Sequence, residues 1–291
     1  MIKVVEISSD ADLASFSQHL MDKGVRHRFT QEGSKQILWA DTESAAILLR
    51  ETFIKYRAGE IQINQSENQG ISLFSHLRDA AGRFPLTLVL IALNILFFPV
   101  GYAMNELDSD SLFAYMMFLE IEQVGSDYYF LTLEETIAGG QWWRFVTPMF
   151  VHFSWLHIVF NLLWIWEISR RIELVNGALG LFCVVAVASI IANVSQFMIS
   201  GPGFFGGMSG VVFGLLGHSL VWSRLVPKKA TGVSPSVYIF MLIFLALGFT
   251  GVIDALGVGN IANGAHLGGL VSGLITGGLA AMSARFMRWK R

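Results

Sequence analysis

The sequence predicts an all-α, polytopic membrane protein with six transmembrane helices and a small α+β domain at its amino-terminal end. Three observations carry that expectation. Of 291 residues, 53% are hydrophobic and only 14% are charged, against roughly 25% charged in ordinary soluble domains. The charges are also unevenly spread, with 11 of the 22 acidic and 10 of the 20 basic residues falling before position 84. The rest of the chain is a series of apolar runs near the length of about 20 residues that spans a bilayer as a helix.

Residues 1–60 read as the α+β domain, in the order βαββα. Met1 to Ile7 alternates like a strand, and Asp10 to Lys23 is an amphipathic helix opened by Ser and Asp caps. Val25 to Thr30 and Lys35 to Ala40 pair as strands, and Thr42 to Tyr56 closes the unit as a second helix. The opening residues lack a basic segment followed by an apolar core, so no signal peptide is expected. Residues 61–82 begin with a stretch too polar to build a core and read as a linker.

Residues 83–291 form the membrane-embedded part, with spans at about 86–104, 150–168, 178–198, 209–226, 237–253 and 261–282. Eleven basic residues (Arg78, Arg83, Arg170, Arg171, Arg224, Lys228, Lys229, Arg285, Arg288, Lys290 and Arg291) fall on one side of those spans, and Arg144 alone on the other. Positive charge is retained on the cytoplasmic side, so both termini are expected there. The connection at 105–149 is too long for a simple loop. It carries eight acidic residues beside Leu112, Phe113, Met116, Met117, Phe118 and the pair Trp142 and Trp143. It is either an amphipathic layer in the outer interface or a surface loop resting on the membrane.

The composition also excludes. A net charge of -2 with no basic run argues against nucleic acid as a partner. The single Cys183 permits neither a disulfide framework nor a thiolate metal cluster, and its apolar surroundings suggest a small buried hydrophobe. Nothing in these patterns speaks to oligomeric state.

A polar group at mid-membrane costs about 2.5 to 3.5 kcal/mol or more, so those inside the spans point to chemistry. The second span holds His152, His157 and Asn161. On one helix, His157 and Asn161 share a face while His152 is turned away by about 140°. The fourth span opens with Phe205, Gly206, Gly207, Met208, Ser209 and Gly210, and the sixth with Asn263, Gly264, Ala265 and His266. All three spans have an end at the outer face, so His157, Ser209 and His266 can meet in the outer third of the membrane. Gly210 and Gly214 on one helix, with Ala265, Gly269, Gly273 and Gly277 on the other, permit close backbone approach.

A serine hydroxyl becomes a nucleophile when a base takes its proton, and a neutral imidazole suits that task. Ser209 is therefore the expected nucleophile and His266 the expected base. His157, Asn161 and backbone N–H groups at the start of the fourth span can receive an oxyanion. No carboxylate lies at that depth, which predicts a dyad, with Phe213 packing against the imidazole. His152 has two readings, a ligand or an interfacial hydrogen-bonding residue. Glu167 and Glu173 read as interfacial charges or salt-bridge partners, and His218 has no assigned role. A transporter would show inverted repeats and mid-depth charges. Haem would need histidines facing one another, and a zinc protease its HExxH string.

The strings QWWRF, HFSWLHIVFN, GPGFFGGMSG and ANGAHLGG resemble the motifs of the rhomboid intramembrane serine proteases, of the bacterial type with a small cytoplasmic N-terminal domain. The resemblance implies a six-helix core, a Ser209–His266 dyad and an oxyanion hole of His157, Asn161 and the backbone N–H groups of Ser209 and Met208. It also implies a structured first loop that includes Trp143 and Arg144. The implied substrates are transmembrane segments of other membrane proteins, cut in the bilayer near its outer face, with no metal, nucleotide or other cofactor. The family commonly has tyrosine where Phe213 stands; phenylalanine keeps the ring and loses the hydroxyl. A catalytically silent, client-binding relative is the competing implication.

Overall fold

The computed structural model describes residues 1–8, 11, 13–61, 73–106, 108–125, 127–252 and 261–289. The expected caps Ser9, Asp10 and Asp12, residues 62–72 of the expected linker, residue 253 at the end of the fifth expected span, and Lys290 and Arg291 lie outside the described residues, while residues 73–82 of that linker are helical. Contacts divide the chain into Met1–Leu77 and Arg78–Arg291.

The first unit runs β1 (Ile2–Ser8), α1 (Ala14–Asp22), β2 (His27–Glu32), β3 (Lys35–Ala40) and α2 (Glu43–Arg57). The strands form one antiparallel sheet in the order β1-β3-β2. Side chains alternate across a strand, and a register shift in β1 between Lys3 and Val5 brings Val4 and Ile7 to one face, where with Leu38 and Ala40 of β3 they meet Phe16, Leu20, Leu49 and Phe53 from the two helices. Thr42 caps α2, its side chain accepting from the Ala45 N–H at 3.3 Å. The α1 N-cap residue is Leu13, without a side-chain cap.

α3 (Leu73–Arg83) runs across the division between the units, and α4 (Pro85–Phe97) follows in the second, continuing as a 3₁₀ segment, Phe98–Glu106. The long connection is structured: α5 (Leu112–Met116), a hairpin of β4 (Ile121–Val124) and β5 (Asp127–Phe130), α6 (Leu133–Ala138), and two 3₁₀ turns, Trp142–Phe145 and Thr147–Phe150. The hairpin corrects the all-α expectation for this part of the chain. The turn uses Gly125 at φ 67°, a left-handed conformation that glycine adopts without steric cost.

Then come α7 (Trp155–Trp164), a π-helical turn at Ile165–Ser169, α8 (Arg170–Ser200), α9 (Ser209–Leu225), α10 (Pro235–Gly248) and α11 (Asn263–Trp289). Among the described residues, three helical stretches are long and apolar enough to cross a membrane: Pro85–Tyr102, Trp155–Ser200 and Asn263–Phe286. The second, of 46 residues, contains the second and third expected spans and is broken at Gly177, where φ 75° and ψ 170° leave the helical region. α9 and α10 are shorter, at 17 and 14 residues.

Outward-facing side chains of this unit are strongly apolar, among them Leu163, Leu179, Phe182, Met198, Ile239, Ile243 and Leu279. Cys183 belongs to that exterior rather than to the core. The interior gathers Ile165, Ile168, Ile172, Leu181, Met208, Val211, Phe213 and Leu215. Glu173 is not interfacial: it is buried and accepts from the backbone N–H groups of Leu86 (2.8 Å) and Thr87 (2.9 Å) and from the Thr87 hydroxyl (2.6 Å). It caps the N-terminus of α4, whose first N–H groups have no partner within their own helix. Glu167 pairs with Arg170 and Arg171.

Candidate active site

The site stands on the contact between α9 and α11. A methyl group on Gly269 would overlap the carbonyl oxygen of Gly210, and one on Gly273 that of Gly214. From the other side, a methyl on Gly214 would lie 2.5 Å from the Ala188 Cβ and 3.3 Å from the Gly269 oxygen. The helices are thus in backbone contact, as small residues four apart allow. That contact brings Ser209, the first residue of α9, to His266, in the first turn of α11: Oγ and Nε2 are 2.7 Å apart.

A serine hydroxyl donating to Nε2 leaves the imidazole proton on Nδ1. His266 Nδ1 is buried and has no hydrogen-bond partner among the described residues. The Phe213 ring, one turn beyond Ser209, lies 4.7 Å from the imidazole centroid at a tilt of 37°, and Phe244 of α10 lies at 6.3 Å.

The approach to Ser209 is fixed by glycine. Gly207 has φ 106°, and a methyl there would come within 2.5 Å of the His157 ring and 3.7 Å of Asn161 Nδ2. His157 and Asn161 thus converge on the backbone that precedes the serine. Asn161 Nδ2 donates to the His157 carbonyl at 3.1 Å, which leaves its second N–H to point elsewhere. The first intrahelical bond of α9 runs from the Val212 N–H to the Met208 carbonyl, so the Ser209 N–H sits at a helix N-terminus without an internal acceptor. The Met208 N–H, expected among the oxyanion donors, is directed at His152 Nε2, 3.4 Å away.

His152 departs from its expected place. α7 begins only at Trp155, with Ser154 as N-cap accepting from the His157 N–H at 3.2 Å. The helical rotation separating the two histidines therefore does not apply, and their rings lie 4.8 Å apart.

Arg144 is buried in the first loop. Its guanidinium donates to the carbonyls of Ala114 (2.6 Å), Met117 (2.9 Å) and Leu119 (3.3 Å) and to Gln141 Oε1 (2.8 Å). Burial draws its pKa below the ordinary arginine value. Trp143 stacks on Tyr115 at 4.8 Å and donates to its carbonyl. Together they lace α5 and the strand of chain after it to the segment entering α7. His218 lies deeper on α9, its Nδ1 3.3 Å from Thr276 Oγ1 and its Nε2 without a hydrogen-bond partner among the described residues.

Sequence reasoning missed the role of Glu173 and the placement of His152. A signal existed for the second: Ser154 ahead of an apolar run is an N-cap signature.

A serine and a histidine joined across a glycine-faced contact between apolar helices suit the chemistry of a membrane-embedded serine hydrolase. Residues 139–283 match the Rhomboid domain and residues 1–67 the Rhomboid N-terminal domain. The chain is 31% identical over 279 residues to the Rhomboid protease GlpG of Serratia proteamaculans, covering 91% of this chain and 92% of that one. It is 28% identical over 282 residues to Rhomboid protease GlpG of Photorhabdus laumondii, covering 91% of each. The chain belongs to the rhomboid family of intramembrane serine proteases, and it is a serine protease.

Proposed function

We propose that this protease cleaves peptide bonds in or near transmembrane segments of other membrane proteins with a Ser209–His266 dyad lying near the outer face of a bacterial cytoplasmic membrane. The observation that carries the reading is the 2.7 Å contact between Ser209 Oγ and His266 Nε2 across the α9–α11 backbone contact.

In the mechanism, Ser209 Oγ attacks the substrate carbonyl carbon as its proton passes to His266 Nε2. The carbonyl oxygen becomes an oxyanion facing the Ser209 N–H and the His157 and Asn161 side chains, while the Met208 N–H, expected among the donors, stays on His152. His266 then gives its proton to the departing amine, which breaks the peptide bond and leaves an acyl-enzyme. Water, deprotonated by His266, attacks the ester and frees the new carboxylate and the serine. Phe213 holds the imidazole by packing, since it carries no hydroxyl. Trp143 and Arg144 hold the first loop, and Gly207 supplies the only backbone that clears His157.

The membrane arrangement in this reading has six spans, as expected from the sequence, with residues 1–60 and both termini in the cytoplasm. The break at Gly177 supports separating the second span from the third, and the basic residues clustered on one side support the orientation. A substrate helix enters laterally between spans and unwinds locally, because a helical peptide bond has its backbone groups paired and shielded.

The test is Ser209→Ala and His266→Ala in parallel, read by cleavage of a transmembrane reporter in vesicles. Both should lose turnover by about 10³-fold or more. Undiminished cleavage by the serine variant would overturn the dyad.

A further inference from the structure

His152 is fully buried and belongs to no helix, yet three elements converge on its neighbourhood. The residues before it, Pro148 to Val151, form a cradle for the turn that leads into α9. The Gly207 N–H donates to the Pro148 carbonyl at 2.9 Å. A methyl on Gly206 would lie 2.8 Å from both the Pro148 and Val151 carbonyl oxygens. On its other flank, a methyl on Gly101 would overlap the His152 carbonyl oxygen. The imidazole closes this cradle, with Nδ1 3.2 Å from the Phe150 carbonyl and Nε2 3.4 Å from the Met208 backbone nitrogen.

The partners fix the tautomer. A carbonyl can only accept and a backbone N–H can only donate. Nδ1 must therefore carry the proton and Nε2 the lone pair. Of the buried groups here, the Met208 N–H would be left without an acceptor if His152 were replaced by an apolar residue, and an orphaned buried donor costs about 1 to 3 kcal/mol or shifts to find a partner. A shift of the 207–208 peptide moves Ser209 with it, because Ser209 is the next residue.

We infer that His152 is a positioning residue: its Nε2 lone pair holds the Met208 N–H, and thereby the Gly206–Met208 turn, in the orientation that presents Ser209 and its N–H to substrate. It touches neither substrate nor the reacting atoms. The inference rests on the proposed dyad.

Two near-isosteric variants separate this role from simple packing. Asparagine places its amide where Nδ1 stands, keeping a donor for the Phe150 carbonyl and losing the acceptor for Met208. Glutamine reaches the Nε2 position and can accept from Met208. With the transmembrane reporter, His152→Asn should lower kcat about tenfold, equivalent to about 1.4 kcal/mol, with KM within about twofold of the parent. His152→Gln should recover most of that loss, and thermal unfolding in detergent should not separate the two variants. Equal kcat in both variants, whether lowered or parental, or a change confined to KM, would overturn the inference. Were His152→Asn to aggregate, His152→Gln alone decides: near-parental kcat supports the acceptor role and a tenfold loss refutes it. Cleavage by Ser209→Ala would instead remove the dyad reading, whatever the His152 variants do.

Discussion

The N-terminal unit and the α9–α11 contact hold themselves together in opposite ways. In the first, bulk does the holding: Phe16, Leu20, Leu38, Leu49 and Phe53 fill the space between sheet and helices. In the second, the absence of bulk holds, since Gly210, Gly214, Gly269 and Gly273 let two helices touch backbone to backbone. The difference follows from the surroundings. In water, burying apolar side chains drives association; in lipid that drive is absent and close packing takes its place. The proposed dyad benefits from the second arrangement, because helices in backbone contact leave little freedom in the distance between Ser209 and His266.

The contrast predicts opposite responses to adding and removing atoms. The largest effect is expected from removal in the first unit. Phe16→Ala deletes a fully buried ring that stacks on Tyr56 at 4.9 Å, and should cost about 3 to 5 kcal/mol, measured as lost hydrogen-exchange protection of the β1 and β3 amides in the intact chain. Next comes addition at the helix contact. Gly273→Ala forces a methyl into the Gly214 carbonyl and should cost about 1 to 3 kcal/mol as overpacking, seen as a lower unfolding temperature and a lower kcat. A tolerated alanine there would show that the contact is looser than backbone to backbone.

The smallest effect belongs to surface charge. Hydrogen bonds from Lys3 and then Lys35 hold the Glu6 carboxyl at about 2, below its ordinary 4.5. A depressed carboxylate stabilises the fold above its unfolded value and loses that contribution as pH falls through the folded one. Protection of the β1 and β3 amides in Glu6→Gln should therefore lie slightly below the parent's at pH 7, and the difference should vanish towards pH 2. An equal difference at both pH values would contradict the assignment.

The comparison also explains what could be read from residues alone. The N-terminal elements were legible because a sheet with one wet face alternates apolar and polar residues, as Ile2 to Val4 and Val5 to Ser8 do on either side of a register shift. The meeting of Ser209 and His266 was legible because glycines four apart mark one helix face. The break at Gly177 falls between the second and third expected spans, at 150–168 and 178–198, where Asn176-Gly177 is a turn dipeptide. Glu173 escaped because a lone acid beside two arginines reads as a surface pair. Its partners are backbone N–H groups 86 and 87 residues earlier, and backbone carries no residue-type signal. His152 is misplaced by the sequence because the expected span starts at residue 150, four residues ahead of the Ser154 cap.

The most direct test of the account is labelling by a serine-directed fluorophosphonate, with the modified residue located by mass spectrometry. The parent should carry the label on Ser209, and His266→Ala, with the serine in place but its base removed, should label at least about 10²-fold more slowly. A label on another residue, or unchanged labelling in His266→Ala, would contradict the claim that the α9–α11 contact exists to join this serine to this histidine.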